Sequence, residues 1–453
     1  MASFTQALRS YVRALPTWYL VAVAILLGVY LFGWAHTMQV AEEQRARGET
    51  IIQPVVPTDS HEYAKLSDSL LEGRFSTPSA EFEYFHTPGY PVFVAGIRTA
   101  TGGSFFAVTL VQIVLTLAVV FMTREIGKVL VSSRVGEAAS LLLFASPIVW
   151  QMSLHIMTDV LFMFLLTAGF LIILKKFIHA PYQTIVAAGA LFAAAVYVRP
   201  VGFLAFPIFV APLLAAHGTW KKKIVLAVAM LGIVTLLAVP WMARNWVQSG
   251  QFAFSSIVQF NFAYYYLPHF WSWKEGTSID EGIERVERLS GVERGTDAEG
   301  HPANWANLAY APELKRFIMP ELLSAPLSYG FWHLYNSAGF FLDISVKPPP
   351  KYNLKKLLAE GRIAELVRAV SDPWWALAMR LGLLLGWCLF ALGVWHLRRS
   401  LIVWAFVCIV IYLAALSGPS AQARYRMPVQ PIISVLVAVG GLYTLERLRL
   451  TKV

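Results

Sequence analysis

The chain has 453 residues, of which 57% are hydrophobic and 14% charged, with mean hydropathy +0.57 and a formal net charge of +10. A soluble globular protein of this size has no use for so much apolar surface, so that class is excluded. The positive charge does not indicate a nucleic-acid partner, because Lys and Arg fall in short clusters between apolar runs, as the positive-inside rule produces.

Ten apolar stretches reach or approach the length that carries a helix across a bilayer: 17–36, 104–123, 135–150, 159–174, 182–198, 201–216, 223–243, 376–396, 401–417 and 428–445. Only helices satisfy their own backbone in lipid, so the fold class is an all-α polytopic membrane bundle of about ten transmembrane helices. The first run, Trp18 to Phe32, lacks a cleavage site and reads as a retained span. The third and fifth stretches are short, which leaves a merged or re-entrant helix open there. One set of connections carries Arg9 and Arg13; Arg124, Lys128 and Arg134; Lys175 and Lys176; Lys221 to Lys223; Arg398 and Arg399; and Arg447, Arg449 and Lys452. The short connections of the other set carry only Arg199, Arg424 and Arg426. This asymmetry predicts cytoplasmic termini in a cytoplasmic (inner) membrane, with 37–103 and 244–375 outside. Residues 1–453 then form one membrane domain, closed by the C-terminal transmembrane helices of 376–453.

The outer segments have patterns of their own. Residues 88–103 are apolar but too short and Gly-rich to cross, which suits a helix lying at the interface. Leu354 to Val370 interleaves leucines with Lys355, Lys356, Arg362 and Arg368, as an interfacial helix does. The aromatic run Phe260 to Trp273 suits the headgroup zone. Cys388 and Cys408 both fall inside apolar spans, so no disulfide framework is expected. There is no internal repeat and no low-complexity tract.

Chemistry-bearing residues gather on the predicted outer side. Asp59 stands in Thr58-Asp59-Ser60-His61-Glu62-Tyr63, just after the Pro57 break where a helix should begin. It either caps that helix or serves as a general base that removes a proton from an acceptor hydroxyl. Tyr63, four residues on, shares its helical face. Asp159, at the mouth of the fourth span, costs free energy unless solvated or paired, which makes it a functional candidate; the alternative is an interfacial cap. His155, four residues earlier, is a further candidate, or an interfacial histidine without chemistry. The run Tyr84-Phe85-His86-Thr87-Pro88-Gly89-Tyr90-Pro91 adds His86 and Tyr90. Arg199, Arg244 (followed by Asn245), Arg424 and Arg426 (flanking Tyr425) run against the positive-inside bias. Guanidinium groups bind phosphate in a fork geometry, so a phosphate-bearing lipid is the ligand class, with headgroup snorkelling the alternative for any one of them. No nucleotide-phosphate loop, dinucleotide fingerprint or HExxH occurs. His61, His86, His155 and His269 are scattered with Glu62, so a divalent metal stays open without a spacing that supports it.

Taken in order, Asp-Ser-X-X-Tyr after the first span, Thr-Pro-Gly-Tyr-Pro, Met-Thr-Asp, Val-Arg-Pro, Pro-Trp-X-X-Arg-Asn and Ala-Arg-Tyr-Arg-X-Pro resemble the GT-C fold glycosyltransferases. The nearest branch is that of the bacterial relatives of protein O-mannosyltransferases and of lipid A aminoarabinose or galacturonic acid transferases. The resemblance runs from the first span to the tenth. It implies a polyprenyl-phosphate-linked sugar as donor, used outside the membrane without nucleotide, and a lipid, glycan or protein acceptor. It implies that Asp59 is the first-loop catalytic carboxylate, that Asp159 lines the same cavity, and that the arginines hold the donor phosphate. Aminoarabinose transferases carry a donor-binding lysine where this chain has Thr87, so His86 or an arginine must serve here. A flippase of lipid-linked sugars would need broken or charged helices near the midplane, which the spans do not show. A polysaccharide ligase or polymerase stays open, because 244–375 is long enough for its outer loop.

Overall fold

The structure is a computed structural model, and it describes residues 6, 10–56, 59–75, 84–176, 179–215, 218–296, 303–344, 361–362, 365 and 374–450. Thr58 and most of the expected 354–370 helix lie outside these residues. Among the described residues the secondary structure is helical, with no strand. In chain order the helices are α1 (Thr17–Ala46), α2 (Asp59–Leu71), α3 (Gly89–Ala100), α4 (Phe105–Leu130), α5 (Ser133–Phe144), α6 (Pro147–Ser153), α7 (Asp159–Lys176), α8 (Pro181–Val198), α9 (Phe206–Ala215) and α10 (Trp220–Ser249). After them come α11 (Leu267–Glu275), α12 (Ile279–Ser290), α13 (Ala311–Ser324), α14 (Pro326–Ser337), α15 (Trp374–His396), α16 (Leu401–Ser417) and α17 (Gln430–Leu450), with shorter turns between.

This is an all-α, multi-pass membrane protein. Seven described helices are long and apolar enough to cross a bilayer, or eight if the bent pair α5–α6 counts as one crossing. Ten were expected, and the differences have physical causes. The third stretch breaks at Ala145–Ser146 and bends by 57°, so it is a broken or re-entrant span. The fourth, α7, has 18 residues but includes Asp159, Lys175 and Lys176, and much of it is buried in protein. The sixth forms a 3-10 turn (Pro200–Ala205) followed by α9 and is too short to cross alone.

Two features of the packing matter for the site. First, α3 is the short apolar helix expected at 88–103, and its start is pressed onto the end of α8. A Cβ on Gly89 would lie 2.5 Å from the Tyr197 carbonyl carbon and oxygen, so only glycine fits there. The Thr-Pro-Gly-Tyr motif is thereby held beside Arg199. Second, residues 260–332 carry a hydrophobic core of their own, built on Phe260, Leu267, Phe270, Trp271, Trp305 and Trp332. That lobe rests on the bundle through α14, where the His333 ring donates Nε2–H to the Ala415 carbonyl of α16 at 2.7 Å.

The α15–α17 contact depends on close backbone approach, as small residues allow between membrane helices. A Cβ on Gly440 would lie 1.9 Å from the Leu389 carbonyl oxygen, and one on Gly393 2.0 Å from that of Leu436. Gly440→Ala should therefore part the two helices and lower stability by about 1–3 kcal/mol, read as a lower unfolding midpoint in detergent. Gly382→Ala, on the same α15 but with nothing within 4 Å of the new Cβ, is the control and should be neutral or mildly stabilising. Equal midpoints for the two variants would refute the tight-crossing argument.

Candidate active site

Two carboxylates and two guanidiniums form the centre of the site. Asp59 and Asp159 each lie in the first turn of a helix, α2 and α7, where the positive end of the helix dipole favours an anion. Asp59 Oδ2 accepts from Arg424 Nη2 at 2.9 Å. Asp159 Oδ1 accepts from Arg199 Nη1 at 2.6 Å. Arg199 ends α8, and Arg424 sits in the 3-10 turn Ala423–Val429 that leads into α17. Tyr425 joins the two pairs: its ring centroid is 5.7 Å from the Arg199 guanidinium and 5.4 Å from that of Arg424, within cation–π range. Phe162 supports Arg199 at 5.8 Å.

The two carboxylates differ in access. The Asp59 side chain is 37% exposed and that of Asp159 only 1%. Asp159 keeps a second oxygen, Oδ2, that is buried and without a hydrogen-bond partner, and Arg424 keeps an unpartnered buried Nε. Asp59 can thus meet an incoming molecule, while Asp159 is placed to hold Arg199.

Aromatic rings wall the Asp59 side. The Tyr63 ring lies 4.6 Å from that of His86 and 5.0 Å from that of Tyr90. Tyr90 donates its hydroxyl proton to Gln112 Oε1 at 2.7 Å, and Gln112 Nε2 donates to the His155 carbonyl at 2.7 Å. Tyr90 is fully buried and its hydroxyl is taken, so it supports the site from beneath. His155 is half-buried and enters this network through its main chain. Thr87 is buried with its hydroxyl unpartnered, so the place of the donor-binding lysine of aminoarabinose transferases holds no cation here.

The electrostatics follow from these contacts. Burial alone would raise the Asp59 carboxyl, but Arg424 first, then His86 and Arg199, outweigh it and hold it below the ordinary carboxylate value. Burial drives His86 down to about 4 although Asp59 opposes the shift, so the imidazole is neutral at neutral pH and the two arginines carry the effect on Asp59 there. Burial, reinforced by Asp59, pushes the Tyr63 phenol up, so it stays protonated.

The expected phosphate-binding arginines divide into two kinds. Arg199 and Arg424 converge, as described. Arg426 is 5% exposed and donates to the Phe340 carbonyl and, at 2.8 Å, to the Asp343 carbonyl, so it clamps the turn instead of facing the Asp59 centre. Arg244 lies over the rings of Trp241, Tyr84 and Phe75 at 4.7, 5.5 and 5.8 Å and donates to Asn245 Oδ1 at 2.8 Å. Asn245 is fully buried and donates to the Ala253 carbonyl at 2.9 Å, which fixes the chain turn after α10. Both groups fold the polypeptide, and neither arginine was expected to do so.

Sequence reasoning passed over Gln112 and Tyr265. A lone glutamine at the centre of an apolar span was the available signal for the first. For the second, the dense Tyr264-Tyr265-Tyr266 run was read only as a headgroup belt. Among the described residues no three His, Cys, Asp or Glu side chains converge as metal ligands; Asp59 and Asp159 each face an arginine.

Comparison with known proteins bears on this geometry. The sequence profile of the family described as dolichyl-phosphate-mannose-protein mannosyltransferase matches residues 85–243. No curated protein sequence matches the chain significantly. The archaeal oligosaccharyltransferase AglB from Archaeoglobus fulgidus, solved with an inhibitory peptide and a dolichol-phosphate, superposes with a TM-score of 0.51 at 14% identity, over 96% of this chain and 51% of that one. The apo oligosaccharyltransferase of the same organism gives 0.50 at 13% identity, over 96% and 51%. The fold is that of the GT-C glycosyltransferases. ArnT from Cupriavidus metallidurans bound to undecaprenyl phosphate also matches, with a TM-score of 0.40 at 14% identity over 92% of this chain and 77% of that one. The chain spans about half the length of the oligosaccharyltransferase it matches.

Proposed function

We propose that the chain is a glycosyltransferase that moves a single sugar from a polyprenyl-phosphate donor to an acceptor at the outer face of a bacterial cytoplasmic membrane, with both termini cytoplasmic. The observation that carries this reading is the pairing of a solvent-reachable carboxylate, Asp59, with a guanidinium whose other edge is unsatisfied, Arg424, beside a second guanidinium, Arg199. Arg424 and Arg199 receive the donor phosphate. As the bond between the anomeric carbon and the phosphate oxygen breaks, they stabilise the charge that collects on the departing phosphate. Asp59 accepts the proton of the acceptor hydroxyl as its oxygen attacks the anomeric carbon from the opposite face, so configuration inverts. The depressed Asp59 carboxyl is ionised at neutral pH and ready to act as a base. Asp159 holds Arg199 in register and does not touch the reacting atoms.

The test compares envelope lipids, glycans and proteins by mass spectrometry in cells with and without the chain. The expected result is one acceptor that gains a single glycosyl residue only when the chain is present and Asp59 is intact. A multi-sugar increment would instead establish a ligase or oligosaccharyltransferase. No Asp59-dependent increment on any acceptor would end the glycosyltransferase reading.

A further inference from the structure

Tyr265 is the one exposed ring among three consecutive tyrosines, at 42% exposure, and it belongs to an unusual piece of backbone. Residues Asn261–Tyr266 form a π-helical turn, closed where Leu267 N–H donates to the Phe262 carbonyl. Such turns insert an extra residue and re-aim side chains, frequently at functional sites. The His269 ring donates Nδ1–H to the Tyr265 carbonyl at 2.6 Å and steadies the turn.

The turn is clamped to both halves of the active site. On one side Ser256 N–H donates to the Tyr84 carbonyl at 2.9 Å and Ser255 Oγ to the Phe85 carbonyl at 2.7 Å. Phe260 meets the Phe85 ring at 4.9 Å, and Phe85 meets His86 at 4.9 Å. On the other side Ser420 Oγ donates to the Tyr266 hydroxyl at 3.4 Å, four residues before Arg424. Tyr265 itself packs against Tyr264 at 4.8 Å and Phe260 at 6.0 Å, which fixes its ring while leaving it open to solvent. Burial, then Tyr264, Asp59 and Tyr425, with Arg424 opposing, push its phenol up to about 12. The ring is therefore a protonated aromatic within electrostatic reach of both Asp59 and Arg424.

We propose that Tyr265 is the stacking platform for the sugar ring of the lipid-linked donor. The inference rests on the donor reading given under Proposed function. With the phosphate on Arg424 and Arg199, the sugar must extend from them toward Asp59. A pyranose or furanose presents a face of weakly positive C–H groups, which the negative π face of an aromatic ring attracts. A platform so placed fixes the anomeric carbon between the phosphate and the base, and it favours sugars whose C–H face is not interrupted by axial hydroxyls.

The experiment measures binding of polyprenyl phosphate without sugar and of polyprenyl-phosphate hexoses and pentoses to the full chain in nanodiscs. The readout is the affinity gained from the sugar. Tyr265→Leu should lower that gain by about 3- to 10-fold while leaving affinity for the bare lipid phosphate within about twofold of the parent, and Tyr265→Phe should keep the gain. A Leu variant that retains the sugar-dependent gain, or loses affinity equally for bare and sugar-bearing lipids, overturns the proposal. A parent that gains nothing from any sugar tested also overturns it. Failure of the parent to bind even the bare lipid phosphate would strike the donor reading itself, and the platform with it.

Discussion

Asp59→Asn lowers turnover by about 10²-fold or more while donor affinity is unchanged or improved. The substitution keeps size and helix-starting ability, since Asn suits a helix start nearly as well as Asp. It removes the ionised oxygen that would take the acceptor proton, and it removes the anion that competes with donor phosphate for Arg424 Nη2. The two effects therefore part: kcat collapses and the donor Kd holds or tightens. The pH dependence carries a sign of its own. A carboxyl held below its ordinary value of 3.8 stays ionised until the pH falls through the lower folded-state value. The acid limb of kcat/KM in the parent should then lie below pH 4 and show no titration near the ordinary histidine value of 6.5, because His86 is driven down to about 4. Near-normal turnover of the Asn variant in a folded, membrane-inserted protein would remove Asp59 from the chemistry.

Much of the fold was legible because membrane helices announce themselves by length and hydropathy. Seven of the ten expected stretches are crossing helices. What hydropathy does not contain is the environment of a helix. α7 reads as a span in the sequence, yet it is packed inside protein and begins with a carboxylate that only Arg199 makes tolerable. The break after Phe144 is likewise invisible to a window average, although Ser146-Pro147 marks a helix restart. The site was legible at Asp59, Asp159, Arg199 and Arg424, where charged groups appear against an apolar background. It was not legible which arginines turn toward the ligand. Arg426 was one of the two favoured phosphate contacts, but it lies two residues from Arg424, and in the tight 3-10 turn that offset sends it to the Phe340 and Asp343 carbonyls. The glycine of Thr-Pro-Gly-Tyr was readable as a motif, but its cause is a tertiary contact with Tyr197 that no local pattern records.

Arg199→Ala is expected to cost about 3–5 kcal/mol of stability, since it strands Asp159, 1% exposed and already short of one hydrogen bond, as an unpaired buried charge. Asp159→Asn placed on top of Arg199→Ala should recover a large part of that loss, because a neutral amide is far cheaper to bury than a carboxylate. The recovery is a coupling energy between two residues in contact, read from unfolding midpoints of the two single variants and the double variant. The double variant also separates the two tasks given to Arg199. It restores the fold without restoring the guanidinium, so any loss of affinity for polyprenyl phosphate that persists in it belongs to ligand contact and not to folding. A direct charge-assisted contact predicts a persistent loss on the order of 1–3 kcal/mol. If the rescued double variant binds lipid phosphate as tightly as the parent, Arg199 serves only to neutralise Asp159, and the phosphate must then rest on Arg424, whose unsatisfied Nε edge is the one left to receive it. If instead Arg199→Ala alone is as stable as the parent, the Asp159 carboxylate is not held by this pair, and the view of Asp159 as the group that positions Arg199 fails with it.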